Sequence, residues 1–169
     1  MEDIQVYLVN LGKYTEGISQ GAWFTLPVDT DEVADKIGLD GVRYEEFAIH
    51  DFVAPFEIKE YESLDKLNEI AEAYDRESGN PVVKYAGDLV EEGWYPEILE
   101  ALESLDSICV HEECNSMTDV AYDFIEENGY LRGVPDIIQQ HIDYEGMGRD
   151  LELEGCYYDT GDGVILEIV

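Results

Sequence analysis

An α+β fold is predicted for this chain of 169 residues, and three observations predict it. Short aliphatic and aromatic runs stand near both ends, the middle turns to a helical period, and Gly, Pro or capping residues punctuate the boundaries. The hydrophobic content of 45 %, with 12 Tyr, 5 Phe and 2 Trp, provides the apolar surface that offsets chain entropy, which excludes a disordered acidic tail. The length fits one ordinary domain or two to three small ones.

Residues 4–9, IQVYLV, read as a strand and residues 22–26, AWFTL, as a second, with Trp23 assigned to the core. The intervening LGKYTEGISQG reads as a linker. DTDEVADKIG reads as a short helix with Asp29 or Thr30 as N-cap and Gly38 just past its end. EEFAIHDF, residues 45–52, alternates and returns to the sheet. From Ser63 the period changes: Leu64, Leu67, Ile70, Ala71 and Tyr74 fall on one helical face. A second helix is expected from Pro81 after a capping Asn80, ending at Gly93, and a third from Pro96 that buries Ile98, Leu99, Leu102 and Leu105. SICVH, residues 107–111, is strand-like. Ser116 and Asp119 form a capping-box pattern opening a helix that Gly129 closes. Pro135 opens another helix, through about Tyr144, and LELEGCYY and VILEIV around DTGDG form a terminal hairpin. The expected division is therefore 1–61 (α+β), 62–105 (helical) and 106–169 (α+β).

Charge is the outlying quantity. Nine Lys+Arg stand against 41 Asp+Glu, a formal net charge of -32, whereas ordinary solubility asks for a magnitude of about 2 to 8 in a small domain. That charge argues against binding of nucleic acid or an anionic membrane surface, which attract basic patches, so a basic partner is expected. Residues 85–131 hold no Lys or Arg and thirteen acids: Asp88, Glu91, Glu92, Glu97, Glu100, Glu103, Asp106, Glu112, Glu113, Asp119, Asp123, Glu126 and Glu127. Glu97, Glu100 and Glu103 are spaced to share one helical face with no cation nearby in sequence. Like charges at that spacing cost roughly 0.2 to 0.5 kcal/mol per pair, yet they are retained.

Duplex DNA carries fixed negative charge at comparable density, about one charge per 1.7 Å of axis, so the net charge matches roughly 54 Å, or about 16 base pairs. Acids one helical turn apart rise by about 4.5 to 6 Å, the order of the 3.4 Å per phosphate of one DNA strand. The competing explanation is a solvated or salt-adapted surface.

Signatures of catalysis are missing from the sequence. Cys109, His111 and Cys114 have the spacing of half a zinc site without a second ligand pair, and structural thiols are expected. DTGDG lacks the third and twelfth ligands of a calcium loop. There is no nucleophile elbow, phosphate loop or dinucleotide fingerprint. No enzyme, metal or cofactor is expected. Three cysteines cannot all pair within one chain, and the N-terminus has no signal-peptide character, so a reducing cytoplasm is expected. No apolar run approaches a membrane span.

VYLVNLGKYTEGISQGAWFTLP, EEFAIHDFVAPFEIKEYESLDKLNEIAE and MTDVAYDFIEENGYLRGVPDIIQQHIDYEGMGRDLELEGCYYDTGDGVILEI resemble the antirestriction protein ArdA family, over nearly the whole chain. The resemblance implies a protein of mobile elements that occupies the DNA-binding channel of type I restriction-modification enzymes, formed by the methyltransferase core and specificity subunit. It implies an elongated chain of three small domains assembled as a curved homodimer through the C-terminal part. Two copies would match about 32 base pairs. The segment HEECNSMTDVAY then offers Val110, Met117, Val120 and Tyr122 as apolar dimer contacts, residues that read equally as core. Trp94, Tyr95 and Tyr144 are candidate contact aromatics beside the acids. The alternatives are an acidic mimic directed at another basic DNA-binding protein and a salt-adapted structural protein.

Overall fold

The structure, a computed structural model, describes residues 3–169 and is mixed α+β with two small sheets. The chain divides into two compact units, Met1–Leu105 and Asp106–Val169.

In the first unit, β1 (Gln5–Asn10) leads directly into a five-residue helix, α1 (Leu11–Thr15), where the sequence reads as linker. Asn10 explains the difference. Its Oδ1 accepts from the Lys13 amide at 3.0 Å, capping the helix, while its Nδ2 donates to the Ile37 and Gly38 carbonyls at 3.2 and 3.0 Å. The side chain is fully buried but satisfied, so the desolvation penalty of an orphaned amide is avoided. β2 (Gly21–Thr25) follows, then α2 (Thr30–Ile37), capped by Asp29, and β3 (Phe47–Val53). The sheet order is β2-β1-β3, antiparallel throughout, with a bulge in the β1–β3 register between Tyr7 and Leu8. Val6, Leu8, Phe24, Val33, Ile37 and Ile49 are buried in its core. Trp23 departs from expectation: it is 41 % exposed, because strand alternation sends neighbouring Phe24 inward and Trp23 to the opposite face.

The helices of this unit begin with α3 (Leu64–Arg76), capped by Ser63, and all five apolar residues of its predicted face are buried. Asn80 Oδ1 accepts from the Val82 amide at 3.0 Å, the cap expected before Pro81, but the segment that follows divides into a 3-10 turn, Val83–Tyr85, and α4 (Ala86–Glu91) rather than one continuous helix. α5 (Ile98–Ser104) starts two residues after Pro96 and is followed by a 3-10 turn, Leu105–Ser107. Ile98, Leu102 and Leu105 are buried and Leu99 is half-buried.

The second unit contains β4 (Ile108–Glu112), α6 (Met117–Glu127), the single turn α7 (Asp136–Gln139), α8 (Tyr144–Glu154), β5 (Tyr157–Asp159) and β6 (Val164–Ile168). The sheet order is β4-β6-β5, antiparallel, and β5 and β6 form the expected hairpin. Two expectations fail. The Pro135 helix ends after one turn, and LELE is not strand but the last turn of α8, which Asp143 caps through a 2.8 Å bond from the Gly146 amide. α6 and α8 pack so closely at Gly148 that a Cβ there would lie 2.5 Å from the Met117 carbonyl oxygen. The core gathers Cys114, Val120 and Ile165, with Met117, Leu151 and Tyr157 against them.

Candidate functional site

Helical periodicity sorts each acidic segment into a buried apolar face and an exposed carboxylate face. On α4, Ala86 and Leu89 are buried while Asp88, Glu91 and Glu92 are exposed. On α5, Ile98, Ala101 and Leu102 turn inward and Glu100 and Glu103 outward. Asp106, in the following turn, is also exposed. In the second unit Glu112 ends β4, Glu113 takes a left-handed conformation with φ 59°, and Glu126 and Glu127 are exposed on the last turn of α6.

Glu97, Asp119 and Asp123, all named from sequence, have internal partners. Glu97 is not without a cation: Lys66, from α3, places its Nζ 2.7 Å from Glu97 Oε2 and 3.7 Å from Glu62. The Lys66 hydrogen bond holds the Glu97 carboxyl below its ordinary range and raises the lysine. Glu97 also stands at the N-cap of α5 in extended conformation, so only Glu100 and Glu103 of the triplet ride on the helix. Asp119 accepts from Ser116 Oγ and the Asn115 amide, both at 2.9 Å, completing the cap of α6. Asp123 accepts from Cys114 Sγ at 3.4 Å. Burial first, and then the Asp123 carboxylate, push the Cys114 thiol up to about 12. Cys109 and Cys156 are exposed, and all three thiols are free.

A row outside the 85–131 block carries charge of the same kind. Asp65, Glu69, Glu72 and Asp75 are all exposed on α3, opposite its buried face, at i, i+4, i+7 and i+10. They rise by about 15 Å along the helix axis, roughly one charge per 5 Å. The signal was present in the sequence as the complement of the apolar periodicity. α8 likewise exposes Glu145, Asp150, Glu152 and Glu154, with Arg149 among them. The second unit as a whole holds sixteen acids against Arg132 and Arg149.

Trp94 and Tyr95 are half-buried in the turn that closes α4, where Gly93 adopts φ 80° and both amides donate to the Leu89 carbonyl. They therefore sit next in sequence to the exposed Glu91 and Glu92 on a fixed backbone. Tyr144 stacks on Tyr122, ring centroids 3.6 Å apart, joining α6 to α8. Of the other residues named as dimer contacts, Val120 is 1 % exposed and packs inside its own unit, and Met117 leans on the same cluster. Val110 is half-buried on β4, and Tyr122 is 49 % exposed.

Among the described residues no group of three or more His, Cys, Asp or Glu converges as a metal site, and no helix is long and apolar enough to cross a membrane. The arrangement is one of charge display: carboxylates held outward on ordered helices, few of them neutralised.

No curated protein matches the chain. The family model described as antirestriction protein (ArdA) matches residues 6–166. With that match running almost from end to end, the chain belongs to the ArdA family of antirestriction proteins.

Proposed function

We infer that this protein shields incoming mobile DNA by presenting carboxylates where a type I restriction-modification enzyme receives phosphates. The observation that carries the reading is the outward, weakly compensated rows of acid on α3, α4 and α5, and on α6 and α8, together with membership of an antirestriction family. A DNA channel is lined with Lys and Arg to neutralise phosphates, and a protein offering carboxylates at similar density engages the same groups. Phosphate contacts carry no sequence information, so one inhibitor acts on enzymes with different recognition sites. The protein works by occupancy in the cytoplasm, with no bond made or broken.

Of the thirteen acids, the ten exposed ones (Asp88, Glu91, Glu92, Glu100, Glu103, Asp106, Glu112, Glu113, Glu126 and Glu127) form the contact set in this reading, extended by the α3 row. Charge speeds encounter more than it prolongs a complex. Trp94 and Tyr95 supply apolar contact beside Glu91 and Glu92. Three segments, 1–61, 62–105 and 106–169, repeat the display, and two chains pair through the C-terminal segment. Val110, Met117 and Tyr122, which retain accessible surface, are the members of the proposed dimer set available to a second copy.

The test is DNA cleavage by a purified type I enzyme over a range of concentrations of this protein. Cleavage is expected to stop near stoichiometric dimer. Undiminished cleavage at a large molar excess would remove the type I enzyme as client.

A further inference from the structure

The outer face of the N-terminal sheet presents a row that the acidic helices do not account for. Tyr7 on β1 is paired in register with Trp23 on β2 and with Asp51 on β3, so the three side chains stand in line across the sheet on one face. At one strand spacing each, Trp23 and Asp51 are about 10 Å apart with Tyr7 between them. Trp23 is 41 % exposed, Tyr7 half-buried and Asp51 exposed. The two rings touch at 5.5 Å between centroids, tilted by 53°.

The row is built rather than incidental. Gly21 leaves the space that the Tyr7 ring fills: a Cβ there would lie 3.0 Å from the ring's Cζ and hydroxyl oxygen. Lys36 is held elsewhere, its ammonium 4.7 Å from the inward Phe24 ring and 3.3 Å from the Trp23 carbonyl oxygen. Asp51 uses one oxygen to accept from the Phe52 amide at 2.9 Å, and no Lys or Arg among the described residues pairs with it. Two aromatic faces and a carboxylate, ordered and open, thus stand on a chain whose net charge is -32.

We propose that this face is a docking surface for an arginine side chain of a basic protein partner, whose guanidinium stacks on Tyr7 and Trp23 and pairs with Asp51. A guanidinium is planar, weakly hydrated and able to stack on a ring while donating to a carboxylate at its edge. An ammonium is a compact, strongly hydrated point charge that does this less well. Tryptophan and tyrosine are also the residues that concentrate binding energy when a partner covers them. A chain this acidic draws a cationic partner by long-range attraction, and the row converts part of that encounter into a side-chain-specific contact. The inference rests on the proposed basic client, and adds that its N-terminal contact selects Arg over Lys.

The experiment is an NMR titration of the full chain with two capped peptides of equal length and charge, one arginine-based and one lysine-based, following the Trp23 and Trp94 indole N–H signals and the Tyr7 amide. The arginine peptide is expected to shift Trp23 and Tyr7 saturably and to bind about two- to fivefold more tightly than the lysine peptide. Trp23→Thr, which suits an exposed strand position, and Asp51→Asn should each abolish that preference while charge-driven binding persists, with circular dichroism confirming the fold. Equal affinities with Trp23 unmoved, or an arginine preference that survives Trp23→Thr, would overturn the proposal. So would Trp23 shifts that follow the protein's own concentration, since a second copy would then cover the face. No restriction enzyme is present in this titration, so it can fail while the cleavage assay succeeds, and the reverse.

Discussion

At the scale of single residues, chemical environment divides groups that look alike in the sequence. The three cysteines differ most sharply. Cys114 is buried with its thiol pushed up to about 12 and donating to Asp123, whereas Cys109 and Cys156 are exposed. Since the thiolate is the nucleophile, alkylation of the native protein at neutral pH should modify two thiols quickly and the third only on unfolding. Three fast equivalents would mean that the Cys114 pocket opens readily. The glutamates divide in the same way. Glu100→Gln with Glu103→Gln removes two exposed like charges, so it should leave the unfolding midpoint unchanged or raised, and slow association with the client. Glu97→Gln should instead lower the midpoint by removing the charge that strengthens the bond from Lys66. The sign follows from the depressed carboxyl of Glu97. Its contribution is present at neutral pH, above the unfolded carboxylate value, and is lost as the pH falls through its lowered folded value. The deficit of Glu97→Gln against wild type should therefore shrink in acid, and a pH-independent deficit would assign the effect to packing.

Elements were legible wherever one strong period ran between clear caps. The α3 face from Leu64 to Tyr74, the Asp29 and Ser116 caps and the β1 and β2 runs all follow from local chemistry that no distant residue overrides. Where the reading failed, two signals competed or a distant partner decided. LELE alternates like a strand, yet Leu151 turns to the core while Leu153 is 84 % exposed, and the cap at Asp143 with the close approach at Gly148 makes it helix. Asn10 is an unremarkable strand end until the Ile37 and Gly38 carbonyls, far along the chain, make it a buried cap. The exposed acids could be read from periodicity, but the Lys66–Glu97 bond, spanning 31 residues, could not. The contact of α6 with α8 supports a direct prediction. Gly148→Ala sets a Cβ against the Met117 backbone, which cannot rotate away as a side chain could, and overpacking of this kind costs about 1 to 3 kcal/mol. Thermal unfolding followed by amide signals should show the second unit destabilised and the first unchanged, and an unaffected second unit would show that the helices can part without cost.

For the whole molecule, the unusual property is that a folded chain tolerates a net charge of -32. Ordered helices hold the charges outward, and burial of apolar faces in two units offsets the repulsion between them. Repulsion of this kind is screened over about 10 Å at 0.1 M salt, so salt should stabilise the isolated protein while weakening its grip on a basic client. A merely salt-adapted protein would share the first response and lack any client. The most direct measurement is competition: a type I enzyme holding a fluorescent duplex of about 30 base pairs is titrated with this protein, and bound DNA is read by anisotropy. Complete displacement is predicted, at concentrations that rise in proportion to the DNA present. A duplex that stays bound at large excess, or a complex holding both DNA and protein, would contradict the account.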